Sequence, residues 1–153
     1  MRFDNAASVL AQAEFFEICD DEQHRLLAFA SERRSFAADE VIYQAGEVPA
    51  GAHVLASGTL KVKPEGPGAV GKPYAISEPG AVISAMALIL PKPRAITVTA
   101  VIDCETVFVP RQAFLKLLEQ SPELAQRAVA RIQADLGNYL GALDPIGKKM
   151  KGV

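Results

Sequence analysis

The chain contains no tryptophan, two histidines and two cysteines in 153 residues, and only 7% of it is aromatic. Cys19 and Cys104 form no CxxC pair, and neither His24 nor His53 stands at a spacing typical of metal ligands. A zinc site and a disulfide framework are therefore unsupported, and buried reduced thiols are expected. The longest uncharged apolar run, Ala81 to Leu90, has ten residues, whereas a membrane-crossing helix needs about 20. The N-terminus MRFDNAASVLAQAEFFE lacks the basic start and apolar stretch of a signal peptide. Excess charge of one sign is also missing: a net charge of -2 and a pI near 5.7 argue against duplex DNA as the main partner, because phosphate neutralisation needs a basic surface. There is no Ser-His-Asp elbow, HExxH, Walker loop or GxGxxG, so catalysis has little support. These absences predict a cytoplasmic, non-enzymatic protein with no cofactor, no membrane segment and no direct DNA binding.

The composition is that of a folded domain: 50% hydrophobic and 22% charged residues, in a length that suits about one domain of 150 residues. The charge is unevenly spread, with ten acidic against four basic side chains in residues 1–60 and eight against twelve in residues 61–153. That asymmetry suits an anionic ligand on the second part, or else an ordinary solvated surface.

Glycine and proline divide the chain into three regimes, since seven of eleven glycines and seven of ten prolines fall between Gly46 and Pro93. Before them, Val9, Leu10, Ala13, Phe16 and Ile18 approximate one helical stripe. A second helix then begins at Asp20, with Gln23 at the reciprocal capping position. From Arg33 to Val109 the pattern is short and β-prone. In TLKVK, Leu60 and Val62 alternate with two lysines, and Ile96, Val98 and Ala100 alternate with Thr97 and Thr99. KPEGPGAVGKP reads as a flexible hairpin loop. Pro110 suits the start of a helix, and Ser121-Pro122 restarts a longer one, whose residues Leu124, Ala128, Ile132, Leu136, Tyr139 or Leu140, and Leu143 form one apolar stripe. The expected fold is mainly β with flanking helices: an antiparallel β-roll or jelly-roll barrel, two N-terminal helices, a short middle helix and two C-terminal helices. The domain is expected over residues 1–143, with a flexible basic tail at 144–153.

The chemistry concentrates between Pro79 and Ala100. A glycine turn leads into a short apolar helix, two prolines make a rigid corner, and Arg94 opens an alternating strand. Unpartnered N–H groups at the start of a short helix, here Ser84, Ala85, Met86 and Ala87, favour an anion, and the Arg94 guanidinium offers parallel donors to phosphate oxygens. The competing structural reading makes Arg94 a surface residue or the partner of an internal acid such as Glu78 or Asp103.

The order of these segments resembles the cyclic-nucleotide-binding domain family over roughly residues 8 to 140. DEVIYQAGEVPAGAHVLASGTLKV is similar to its first strand block, with Gly46 and Gly58 at turn glycines, and PGAVISAMALILPKPRAITVTAVIDCETVFVPRQAFLKLL is similar to its phosphate-binding cassette followed by the final strands and helix. The resemblance implies that Arg94 grips a cyclic phosphate and that the Ala95 N–H meets it. Ser84 and Ala85 stand where the family has a glycine and a ribose-binding glutamate. It further implies a lid from the closing helix, where Arg131, Asn138 and Tyr139 are candidates to touch a base. Metal-dependent cupins share the expected β architecture but need several histidines, and His53 is the only one in the β region.

Two functions follow. The first is a regulatory or sensory module that binds a small anion or nucleotide, cyclic AMP weakly or another phosphate-bearing nucleotide, and signals through its C-terminal helix. The second is a ligand-free interaction module with a degenerate pocket, using the 124–143 helix to bind a twin in a homodimer or a partner protein.

Overall fold

A computed structural model of the chain describes residues 3–142, and side chains over residues 6–134; the basic tail expected at 144–153 lies outside the described residues. Helix α1 (Phe3–Gln12) is followed by a 3-10 turn (Glu14–Ile18) and α2 (Asp21–Ala30). The stripe read as one helix breaks at Ala13, whose extended backbone ends α1. The i, i+3 spacing of Ala13 and Phe16 fits a 3-10 turn as well as an α-helix. The capping box is formed: Asp20 Oδ1 accepts the Gln23 N–H at 2.8 Å and Gln23 Oε1 accepts the Asp20 N–H at 2.9 Å, an arrangement worth about 1 kcal/mol.

Eight strands follow: β1 (Glu32–Phe36), β2 (Val41–Tyr43), β3 (Gly51–Ser57), β4 (Leu60–Pro64), β5 (Tyr74–Ile76), β6 (Val82–Ile83), β7 (Ile96–Ala100) and β8 (Cys104–Pro110). The expected barrel is not there. The strands make two separate four-stranded antiparallel sheets, in the orders β1-β8-β3-β6 and β2-β7-β4-β5, and neither is closed into a barrel or curled as a jelly roll or β-roll. Closure needs a continuous ladder around the ring. Here β2, β5 and β6 at the sheet edges are only two or three residues long, and such short edges end the pairing instead of carrying it on. The sequence predicts most of the strands but carries no signal for whether their edges meet.

The first sheet is the middle layer. Ala52, Val54, Val107 and Val109 face a core shared with the helices, where Phe15, Phe16 and Phe114 meet with ring centroids 5.1 to 6.0 Å apart. On the other side, Leu55, Ile83 and Cys104 pack against Leu60, Val62, Val98 and Ala100 of the second sheet. Burial on both faces explains the nearly unbroken apolar run of β3. The chain closes with α3 (Arg111–Gln120) and α4 (Pro122–Ala142), the latter begun by Ser121, whose Oγ accepts the Leu124 N–H at 3.3 Å. Leu124 and Ala128 are buried and Ile132 packs on the same core. The first half of the predicted stripe therefore stays within its own chain.

Candidate functional site

β6 ends because Ser84 turns the chain into the left-handed region, at φ 63° and ψ 58°. That conformation costs a residue with a Cβ about 1–2 kcal/mol. A 3-10 turn over Ala85–Leu88 follows, and its Ala87 and Leu88 are buried. The Ala87 N–H donates to the Ser84 carbonyl at 2.8 Å, so this expected anion donor is engaged within the turn. The turn is tied to α3 by Arg111, whose Nη1 donates to the Ala87 carbonyl at 3.1 Å and the Pro49 carbonyl at 2.7 Å.

Arg94 sits beyond the proline corner, half-buried. Its backbone is gripped from both sides. The Arg94 N–H donates to the Tyr43 hydroxyl at 3.0 Å, and that hydroxyl donates to the Glu47 carbonyl. The Gly46 N–H donates to the Arg94 carbonyl at 3.0 Å, from a turn whose φ of 93° suits glycine. One residue on, the Ala95 carbonyl accepts the Glu65 N–H at 2.9 Å. Thr97, expected on the solvent side of its strand, is instead buried. Its hydroxyl donates to Glu65 and accepts from the Ala45 N–H at 3.1 Å and from Gln44 Nε2 at 3.3 Å. Sequence alternation reports which face a residue is on, but not whether loops fold over that face.

Among the described residues, the Arg94 guanidinium makes no ion pair and no hydrogen bond. Neither acid considered as its partner takes that role: Asp103 Oδ1 accepts the Ala38 N–H at 3.0 Å, and Glu78 lines a different cavity. Arg94 and Ala95 instead line a cavity of about 240 Å³, bounded by Ala45 and Gly46 of the β2–β3 turn, Glu65 and Gly66 of the β4–β5 hairpin, and Pro93.

The cyclic nucleotide-binding domain model matches residues 33–121. The chain belongs to that family. A candidate cyclic nucleotide binding protein of Ruegeria pomeroyi is 17% identical with a TM-score of 0.74, over 95% of this chain and 64% of that one. The chain thus spans less than two thirds of that relative. A cyclic nucleotide-binding-like protein of Brucella abortus is 29% identical with a TM-score of 0.65, over 76% of this chain and 99% of that one. The sensor domain of the transcriptional regulator DNR from Pseudomonas aeruginosa is 18% identical with a TM-score of 0.73, over 91% and 93%. No curated protein matches significantly. Among the described residues no helix is long and apolar enough to cross a membrane.

Of the expected site residues, Arg94 and Ala95 line one described cavity and Ala85 another. Ala85 lines a second cavity of about 610 Å³, with Gln12, Glu14, Phe15, Glu78 and Arg131. Gly80 forms its wall and approaches α1 so closely that a Cβ there would lie 2.8 Å from the Gln12 carbonyl oxygen. The expected lid residue Arg131 lies 3.8 Å from Glu14 and 3.6 Å from Glu17, and Arg127 Nε donates to the Ile18 carbonyl at 2.8 Å. α4 is thereby held to the N-terminal 3-10 turn. Asn138 and Tyr139 lie outside the described side chains, and Met86 is half-buried in the cassette turn. Sequence reading did not single out Tyr43, Glu65, Thr97 or Arg111, because their contacts join segments far apart in the chain.

The two cysteines and His53 are buried. Both thiols are free, and burial pushes the Cys19 thiol up to about 12, with the Asp20 charge adding to it. His53 shares a 2.9 Å hydrogen bond with the buried Thr106 hydroxyl. Burial, and secondarily the Arg34 charge, lowers its pKa to about 4. Among the described residues there is no group of three or more potential metal ligands.

Proposed function

We propose that the chain is a regulatory or sensory module that binds a small phosphate-bearing molecule through Arg94 and reports occupancy through α4. The observation that carries this is the unpaired, half-buried guanidinium on a cavity, with its backbone held by Tyr43 and Gly46. A cation withdrawn from water needs a counter-charge, and a planar guanidinium meets phosphate oxygens through two parallel bonds. Family membership supports a nucleotide as the source of that phosphate. Ala85 offers no carboxylate to a ribose hydroxyl, and a charge-assisted hydrogen bond contributes about 1.5–3 kcal/mol. A ribose hydroxyl bound at the Arg94 cavity must therefore find its acceptor elsewhere than at position 85, and without one cyclic AMP binds roughly ten- to hundredfold more loosely.

A route from the corner to α4 exists in the packing. Arg111 joins the cassette turn to α3, and Leu88, Phe114 and Leu124 share one core. Occupancy shifts α4 to the extent that the ligand binds its two positions with different affinity. The alternative of a ligand-free interaction module is weakened by Leu124, Ala128 and Ile132, which are committed to the chain's own core. Calorimetry with cyclic AMP, cyclic GMP and inorganic phosphate tests the reading. Binding that disappears in Arg94→Ala is expected; no heat from any of the three overturns it and leaves the interaction module.

A further inference from the structure

The cavity beside Arg94 holds a second charged group of the opposite sign. Glu65 lines it from the β4–β5 hairpin, yet no ion pair joins the two side chains within 4.0 Å. Two opposite charges that share one small cavity without closing on each other complement a guest that is itself divided, with an anion at one end and a hydrogen-bond donor at the other. Resting on the reading of Arg94 above, we propose that Glu65 is the specificity-determining acceptor of this site, and that the ligand is a phosphate compound carrying a hydroxyl group.

Glu65 has the capacity for this. Its Oε1 takes the Thr97 hydroxyl proton, which fixes the carboxylate relative to β7 and so to Arg94, three positions earlier in the chain. Its Oε2 has only Lys63 Nζ at 3.9 Å, beyond hydrogen-bond reach. An ionised carboxylate offers about four lone-pair positions, so acceptor sites remain for a ligand hydroxyl. The Glu65 N–H is also bonded to the Ala95 carbonyl, so the hairpin and the arginine segment hold one register and the spacing between the two charges is set by backbone hydrogen bonds.

The size of the cavity narrows the class. At about 240 Å³ it lies below the range of roughly 300–1,000 Å³ for pockets that enclose drug-sized ligands. It accommodates a phosphate and the sugar-sized group that bears it, with anything larger extending into solvent. Ala85, where the family resemblance places the ribose-binding glutamate, lines the other cavity, so an acid at position 85 is not what this cavity needs. The donor-reading carboxylate comes from a different loop.

The test compares methyl phosphate, which has no hydroxyl, with ribose 5-phosphate, and cyclic AMP with its 2'-deoxy counterpart, by calorimetry on the full chain. The wild-type protein is expected to prefer the hydroxylated member of at least the first pair by roughly ten- to hundredfold. Glu65→Ala is expected to abolish that preference while methyl phosphate binds at least as tightly, because a negative charge beside the phosphate is removed. Because Glu65 also holds Thr97, Glu65→Gln is the control for folding: its amide oxygen keeps the Thr97 bond, and it should retain the fold while losing most of the preference. Equal losses for both probes in Glu65→Gln, or an undiminished preference in Glu65→Ala, overturn the inference while leaving Arg94 as the phosphate residue. If the wild-type chain binds none of the four probes, the Arg94 reading fails and this one fails with it.

Discussion

The two cavities hold similar kinds of residue in opposite states. In the larger one, between α1, the cassette entry and α4, Arg131 lies near Glu14 and Glu17, and those charges answer each other within the protein. In the smaller one, Arg94 and Glu65 are both present and neither answers the other. Volume alone therefore does not rank the two cavities as binding sites. Paired charges hold elements together, as Arg131 helps hold α4, whereas Arg94 has no such partner among the described residues and Glu65 has the Thr97 hydroxyl and Lys63 at 3.9 Å.

Exchanging the roles of the two arginines breaks or sharpens this contrast most strongly. Arg94→Ala should weaken phosphate binding about a hundredfold, in line with the loss of a bidentate charged contact of about 3 kcal/mol, and leave the melting temperature nearly unchanged. Arg131→Ala should do the reverse: affinity in calorimetry stays as it was, and urea unfolding shows a loss of under about 1 kcal/mol, the usual value for exposed pairs. Equal effects on affinity would erase the distinction between the cavities.

Acid is expected to unfold the protein by a route that involves neither arginine. His53 titrates at 6.5 when unfolded and at about 4 when folded, so it favours the fold above pH 6.5 and that contribution is lost as the pH falls toward 4. The loss is on the order of 3 kcal/mol. Urea midpoints at pH 7 and pH 4.5 should differ less in His53→Gln than in the wild type, and an identical difference in both would remove His53 from the account. Arg111→Ala comes next, costing about 2 kcal/mol because two carbonyls lose a charged donor. It should also weaken any ligand-induced change in α4 protease sensitivity, and an unaltered response would show that the signal does not pass through the cassette turn and α3. The smallest effect is a gain: Ser84→Gly relieves a left-handed backbone and should raise stability by about 1 kcal/mol, read as a higher denaturation midpoint.

Much of the fold was readable because its signals are local. The Asp20–Gln23 box, the Ser121 cap and the Leu60/Val62 alternation each depend on neighbours within a few positions, and each appears as expected. β6 was missed because two residues carry no periodicity, and the barrel was wrong because sheet closure depends on edges far apart in sequence. The site divides in the same way. Arg94 stands out in the sequence by its place after the proline corner, and in the structure it lines a cavity. Tyr43, Glu65 and Thr97 were invisible, since what matters about them is which loops fold onto β7, and no spacing within one segment encodes that.

Tyr43 has one consequence for how this chain can change over time. Because the Arg94 backbone is anchored to β2 and the neighbouring turn, the guanidinium takes its position from the second sheet and not from the short turn that precedes it. Changes around Ser84 and Ala85 leave these backbone bonds intact, whereas a change at Tyr43 removes one of them. The phenol ring, not the cassette, is the part of this corner on which natural selection for ligand recognition would bear hardest.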